Sequence, residues 1–307
     1  MLSRSGTVRA LLPALLVLAL LNGCDSREPR NTHDPNPGPF RVDQTPAWSP
    51  NGNQIAYHHD AGRTEDTTDA SGLYVLDLET DSTRLLVEGS ARSPDWRPDG
   101  ERIAFTTGNI FTIRPDGSDL KQVTDHGSAY FPSWAPDGKR LAYDATTLPK
   151  SGIWLVDPDG DSRKNLGLGR YPDWSAQGER LVYEGPPGTS ESGPQLWAAD
   201  TSATDSVQIT DNDFVNNRYP AWSPSGEWVA WSTINDDGNY ELWIMRADGT
   251  DKQKLADRGR DPAWGPNSER IVFARPGRES DLTALWTIRR DGSKLKQLTD
   301  PSRNPLN

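Results

Sequence analysis

Six strings in this sequence share one spacing. Gln44, Arg92, Tyr130, Arg170, Arg218 and Arg260 each stand four residues ahead of a Trp, with a Pro two residues ahead of that Trp. Four guanidinium groups at one repeated position suggest anion chemistry, because the guanidinium fork offers paired N–H donors that match a carboxylate. Phe131, Tyr171 and Tyr219 follow three of these positions, and Tyr130 occupies one. Aromatic side chains of this kind act as anchors at protein interfaces. The candidate partner-binding residues are therefore Arg92, Tyr130, Arg170, Tyr171, Arg218, Tyr219 and Arg260. A competing reading pairs each Arg with an Asp or Glu of an adjacent repeat, and the sequence leaves both open.

Other chemistry is poorly supported. The four His residues, His33, His58, His59 and His126, have no metal-ligand spacing. The stretches Asp157-Pro158-Asp159-Gly160-Asp161 and Asn235-Asp236-Asp237-Gly238-Asn239 are rich in oxygen ligands. Neither fits a twelve-residue calcium loop with its closing Glu, and both read as hairpin turns. Gly188-Thr189-Ser190-Glu191-Ser192-Gly193 contains candidate nucleophiles, yet it lies in a loop and not between a strand and a helix. No catalytic residue, metal or cofactor is expected. A formal charge of −11 excludes the basic footprint of a nucleic-acid binder.

Cys24 is the only Cys, so no internal disulfide can form. Arg4 and Arg9 precede a twelve-residue apolar run, Ala10 to Leu21, which is too short for a permanent membrane span. The run ends in Leu21-Asn22-Gly23-Cys24, which resembles a bacterial lipobox. Residues 1–23 are then a lipoprotein signal peptide and Cys24 the acylated new N-terminus. An ordinary secretory signal followed by an unrelated Cys is the alternative. Loss of Arg4 and Arg9 takes the formal charge to −13. A lipid would hold the protein at the periplasmic side of a bacterial envelope without spanning the membrane. Asp25 hints at the inner membrane. Residues 24–44, with Pro29, Pro35, Pro37 and Pro39, read as the lipidated Cys and an extended flexible tether.

The elements that position the arginines are short strands. The Trp residues of the six strings, Trp48, Trp96, Trp134, Trp174, Trp222 and Trp264, are separated by 48, 38, 40, 48 and 42 residues. That period belongs to propeller blades. A turn such as Asn51-Gly52, Asp99-Gly100 or Asp137-Gly138 follows the Trp, supplying the positive φ of a tight hairpin. Strands then recur, as in Ile55-Ala56-Tyr57 and Leu73-Tyr74-Val75, with period-two patterning. With 27 Gly and 25 Pro the chain is broken too often for long helices. The expected fold is all-β, a six-bladed β-propeller of four-stranded antiparallel blades over residues 45–300, with 301–307 a C-terminal tail. The 12 Trp then fall at framework positions between blades. In such a ring the first strand of each unit lines the channel, and the four Arg would converge at one mouth.

Trp48-Ser49-Pro50-Asn51-Gly52 and Trp222-Ser223-Pro224-Ser225-Gly226 resemble the Trp-Ser-Pro-Asp-Gly core of the TolB-type propeller repeat. Trp96-Arg97-Pro98-Asp99-Gly100 and Trp134-Ala135-Pro136-Asp137-Gly138 keep its Pro-Asp-Gly. The resemblance covers residues 46–299 and implies a propeller-only lipoprotein relative of the periplasmic Tol–Pal protein. The same repeat also occurs in propellers attached to peptidases; with no room for a hydrolase domain after residue 299, a propeller without one is the expectation here. The expected function is non-enzymatic: a monomer that binds an envelope protein or peptide, acidic to suit the arginines, at one face or channel mouth. The alternative is a propeller lyase or hydrolase acting on a glycan or small anionic ligand. A buried, pKa-shifted acid or base in the channel is the observation that would favour the enzyme.

Overall fold

The computed structural model describes residues 41–62, 69–146, 151–187, 193–211, 216–277 and 282–306. Cys24, the signal peptide, most of the tether and the string Gly188 to Ser192 lie outside these residues.

Turns and short apolar runs build six successive four-strand units. Unit one contains β1 (Val42–Trp48), β2 (Gln54–Asp60), β3 (Gly72–Asp77) and β4 (Ser82–Glu88). Unit two contains β5 (Arg92–Trp96), β6 (Ile103–Thr106), β7 (Ile110–Ile113) and β8 (Lys121–Gln122). Unit three contains β9 (Ala129–Trp134), β10 (Leu141–Ala145), β11 (Gly152–Val156) and β12 (Arg163–Asn165). Unit four contains β13 (Arg170–Trp174), β14 (Arg180–Pro187), β15 (Pro194–Asp200) and β16 (Ser206–Gln208). Unit five contains β17 (Arg218–Trp222), β18 (Trp228–Ile234), β19 (Tyr240–Arg246) and β20 (Gln253–Asp257). Unit six contains β21 (Arg260–Trp264), β22 (Arg270–Pro276), β23 (Thr283–Arg289) and β24 (Lys296–Gln297). Neighbouring strands within every unit pair antiparallel, as a meander does.

The sheets do not fall into six separate bodies, which corrects the expectation of six separate blades. Units two to five are four separate four-stranded sheets, whereas units one and six share one eight-stranded sheet. The physical cause is a single parallel contact, Val42 beside Thr283, in which the Thr283 N–H donates to the Arg41 carbonyl at 3.0 Å. The molecule is an all-β propeller of four-stranded antiparallel blades, joined at that seam.

Each unit buries its faces against its neighbours. Ala56, Leu73 and Val75 of unit one pack with Trp96, Ile103 and Phe105 of unit two. Across the seam, Ile55, Tyr57 and Tyr74 pack with Val272, Ala274 and Leu285. Trp96, Trp134, Trp174 and Trp264 are buried, Trp231 completely so, and Trp48 and Trp222 are half-buried. Large aromatics placed between sheets compensate for the low apolar content of the chain. The Gly160 turn shows how tightly the units approach. Its φ is +84°, and a Cβ there would stand 2.4 Å from the Val123 carbonyl oxygen of the preceding unit. Only Gly meets both demands.

The C-terminal tail is tied to the seam. Pro301 and Asn304 are buried, and the Arg41 guanidinium donates to the Ser302 carbonyl at 2.9 Å. Beside it, His59 is completely buried between two carboxylates. Its Nδ1 lies 2.6 Å from Asp43 Oδ1 and its Nε2 3.1 Å from Asp69 Oδ1. Arg41 Nε completes the chain by donating to Asp69 Oδ2 at 2.5 Å.

Candidate functional site

The first strand of every unit carries the same irregularity. Between Gln44 and Ala47 the β1 register slips against β2, and matching slips occur in β5, β9, β13, β17 and β21. The residue before each Pro takes a left-handed φ: Thr45, Ser93, Phe131, Tyr171, Tyr219 and Asp261 lie between 48° and 54°. Such a bulge bends the strand and re-aims a side chain, and Pro fits there because no ladder donor is required. The six residues turned in this way line a central cavity of about 230 Å³.

At the turned position the lining is asymmetric. Units three to five contribute aromatics: Phe131 and Tyr171 meet edge to face at 4.3 Å between centroids, and Tyr171 and Tyr219 at 4.7 Å. Tyr240 extends the group at 6.1 Å from Tyr219. Tyr171 is buried, while Phe131 and Tyr219 are half-buried. Burial pushes the Tyr171 hydroxyl up to about 12 and the Tyr219 hydroxyl higher, so both remain neutral donors. Units one, two and six contribute Thr45, Ser93 and Asp261 to the opposite wall.

One layer deeper stand two carboxylates, Asp95 and Asp173. Asp95 Oδ2 accepts from the Trp134 N–H at 2.6 Å, and Asp173 Oδ2 accepts from the Trp222 N–H at 2.6 Å. Asp173 Oδ1 accepts in addition from the Ser133 hydroxyl at 3.0 Å. Among the described residues neither has a basic partner. Burial pushes Asp95 up to about 8, with the Asp173 charge adding to it, and burial pushes Asp173 up to about 6. Sequence reasoning passed over both. Their signal was a charged residue just before the Trp, where other units place Ala47, Ser133, Ala221 and Ala263.

The predicted arginines sit at the rim, apart from this lining. Arg170 Nε donates to Asp144 Oδ2 of the preceding unit at 3.3 Å. Arg218 reaches Glu184 of its preceding unit at 4.0 Å, without a hydrogen bond. Arg260 donates to the Gln44 side chain and lies 3.6 Å from Asp261. Arg92 is exposed, has no ion pair among the described residues and faces buried His58, whose imidazole is pushed down to about 4 chiefly by burial. Burial holds both Asp144 and Glu184 up at about 7 against the pull of the arginines. Three of the four arginines thus already face a carboxylate inside the fold. Tyr130 is half-buried beside the register slip.

The oxygen-rich stretches are turns. Asp157 accepts from the N–H groups of Asp161 and Ser162, and Asn235 from those of Asp237 and Asn239. Among the described residues no three His, Cys, Asp or Glu side chains converge as a metal would require.

A ring of four-stranded blades around a channel lined by first strands defines the β-propeller class. The TolB beta propeller domain family matches residues 41–268 and 126–304, and the chain belongs to that family. The putative TolB from Agrobacterium tumefaciens is similar at TM-score 0.66 and 19% identity, with 76% of this chain and 89% of that one covered. Oligogalacturonate lyase from Vibrio parahaemolyticus is similar at TM-score 0.54 and 11% identity, covering 84% of this chain and 78% of the lyase. At these identities the likeness is one of fold. Dipeptidyl-peptidase 5 of Porphyromonas endodontalis shares 34% identity over 83 residues, which are 25% of this chain and only 12% of that protein.

Proposed function

We propose that this protein is a non-enzymatic binding scaffold of the cell envelope, a six-bladed ring whose channel mouth receives a protein or peptide partner. The observation that carries this reading is the Phe131–Tyr171–Tyr219 cluster, packed on itself at the central cavity with Phe131 and Tyr219 half-buried and Tyr171 buried between them. Preorganised aromatics bind a partner at low entropic cost, because little side-chain freedom remains to be lost. Membership of the TolB propeller family supports it. The protein acts as a monomer on the periplasmic side, held by a lipid on Cys24. Cys24→Ser would then move it from the membrane to the soluble fraction.

The test is a double variant, Phe131→Ala with Tyr219→Ala, expressed in the native envelope and chemically crosslinked. The scaffold reading expects the wild-type adduct to disappear while the ring stays folded. A folded variant with the same adduct contradicts it.

One observation favours the enzyme alternative: Asp95 and Asp173 titrate near neutrality, where a general acid or base works best. Against it, no Lys, Arg or His lines the cavity to hold an anionic substrate or developing negative charge. Turnover of an oligosaccharide by wild type, lost in Asp95→Asn, would replace the scaffold with a lyase or hydrolase.

A further inference from the structure

The cavity is opposite in charge character to its rim. Its lining contains Asp95, Asp173 and Asp261, six aromatic residues and no basic side chain. Asp261 is answered by Arg260. Asp95 and Asp173 are not, and backbone N–H donors from the next unit fix both carboxylates in place. Aromatic faces beside a fixed carboxylate form the environment that attracts an organic cation. The fold uses the same attraction at its own rim, where the Arg170 guanidinium lies 5.0 Å from the Tyr171 ring centroid. A hard divalent cation requires a cage of oxygen ligands, and no such cluster exists among the described residues.

We propose that the channel takes one cationic side chain of the partner, a guanidinium or ammonium, between the Phe131–Tyr171–Tyr219 wall and the Asp95 and Asp173 carboxylates. This deepens the scaffold reading and rests on it. It also reverses the sign of partner suggested by the arginines, since an acidic segment would meet the rim but not the channel. A cavity of about 230 Å³ holds a long side chain and excludes a folded element.

The proposal has a proton linkage. In the empty channel Asp95 is held up at about 8 and Asp173 at about 6. The groups facing them are each other, Arg260-paired Asp261 and the neutral Tyr171 and Tyr219 hydroxyls. A bound cation favours the ionised carboxylates and lowers their pKa, so binding releases protons. Affinity therefore rises with pH between 6 and 8.

The experiment titrates the whole chain with Nα-acetyl-arginine amide, its uncharged isostere Nα-acetyl-citrulline amide and calcium chloride, followed by NMR shifts of the channel Tyr residues. The arginine amide is expected to bind at least about tenfold tighter than the citrulline amide, and tighter at pH 8 than at pH 6. Asp95→Asn with Asp173→Asn should erase the preference, because each amide oxygen still accepts its Trp N–H while the charge is gone. Equal binding of the two amides, binding of neither, or binding of calcium alone overturns the proposal. A partner that still crosslinks at Phe131 and Tyr219 while the amides bind equally leaves the scaffold reading standing and removes only this one.

Discussion

Asp173 Oδ2 accepts a 2.6 Å hydrogen bond from the Trp222 N–H, a residue 49 positions later in the first strand of the next unit. Asp95 makes the same contact with Trp134. Each carboxyl group therefore has two places in the fold: it staples neighbouring units and it lines the channel.

Removing the staple should cost stability. Asp173→Ala leaves the Trp222 N–H and the Ser133 hydroxyl without their acceptor, and an orphaned polar group costs roughly 1–3 kcal/mol. Asp173→Asn keeps an acceptor and should cost less. Urea unfolding of the two variants checks the order. Equal loss in both would show that the charge, not the hydrogen bond, holds the units.

Four carboxyl groups raised by desolvation set a pH dependence. Asp95 and Asp173 rise in the folded state from 3.8 to about 8 and about 6. Asp144 rises from 3.8, and Glu184 from 4.5, to about 7 each. A carboxyl that holds its proton more tightly when folded contributes stability below its unfolded pKa and loses it as pH rises through the folded value. These four groups should make the protein less stable as pH climbs from 3.8 towards 8, and Asp95→Asn should flatten the upper part of that window. Thermal melts across the range, with and without the substitution, measure it.

His59 adds a second slope. Both ring nitrogens face carboxylate oxygens, so both must donate and the imidazolium is the fitting form. Its pKa is raised from 6.5 by the hydrogen bond and charge of Asp43 and by Asp69, which outweigh the larger single effect of burial. The His59 contribution is complete below 6.5 and is lost as pH rises through the higher folded value. His59→Gln leaves buried Asp43 without its cation, while Asp69 keeps Arg41, and should cost about 3–5 kcal/mol at mildly acid pH, where the carboxylates are ionised. A loss under about 1 kcal/mol, the scale of an exposed pair, would contradict the clamp.

The repeat was legible because its signals are local. The Trp strings end the first strands, and the Asn-Gly and Asp-Gly turns place the hairpins where the strands meet. The bulge was not legible. Propensity argues against positive φ at Phe131, Tyr171 or Tyr219, and only the packed ring imposes it. The arginines were found by spacing, but their Asp144 and Glu184 partners lie 26 and 34 residues upstream on another unit. The seam was likewise hidden, since it brings Val42 to Thr283 through ring closure.

The central claim is that a partner enters the channel mouth, and photocrosslinking tests it most directly. A photoreactive amino acid replaces Tyr219 in one variant and exposed Val207, on the outer strand of unit four, in another. After illumination of intact cells, the account predicts a discrete adduct from position 219 that position 207 does not give. Adducts from position 207 alone, or the same adduct from both, would contradict it.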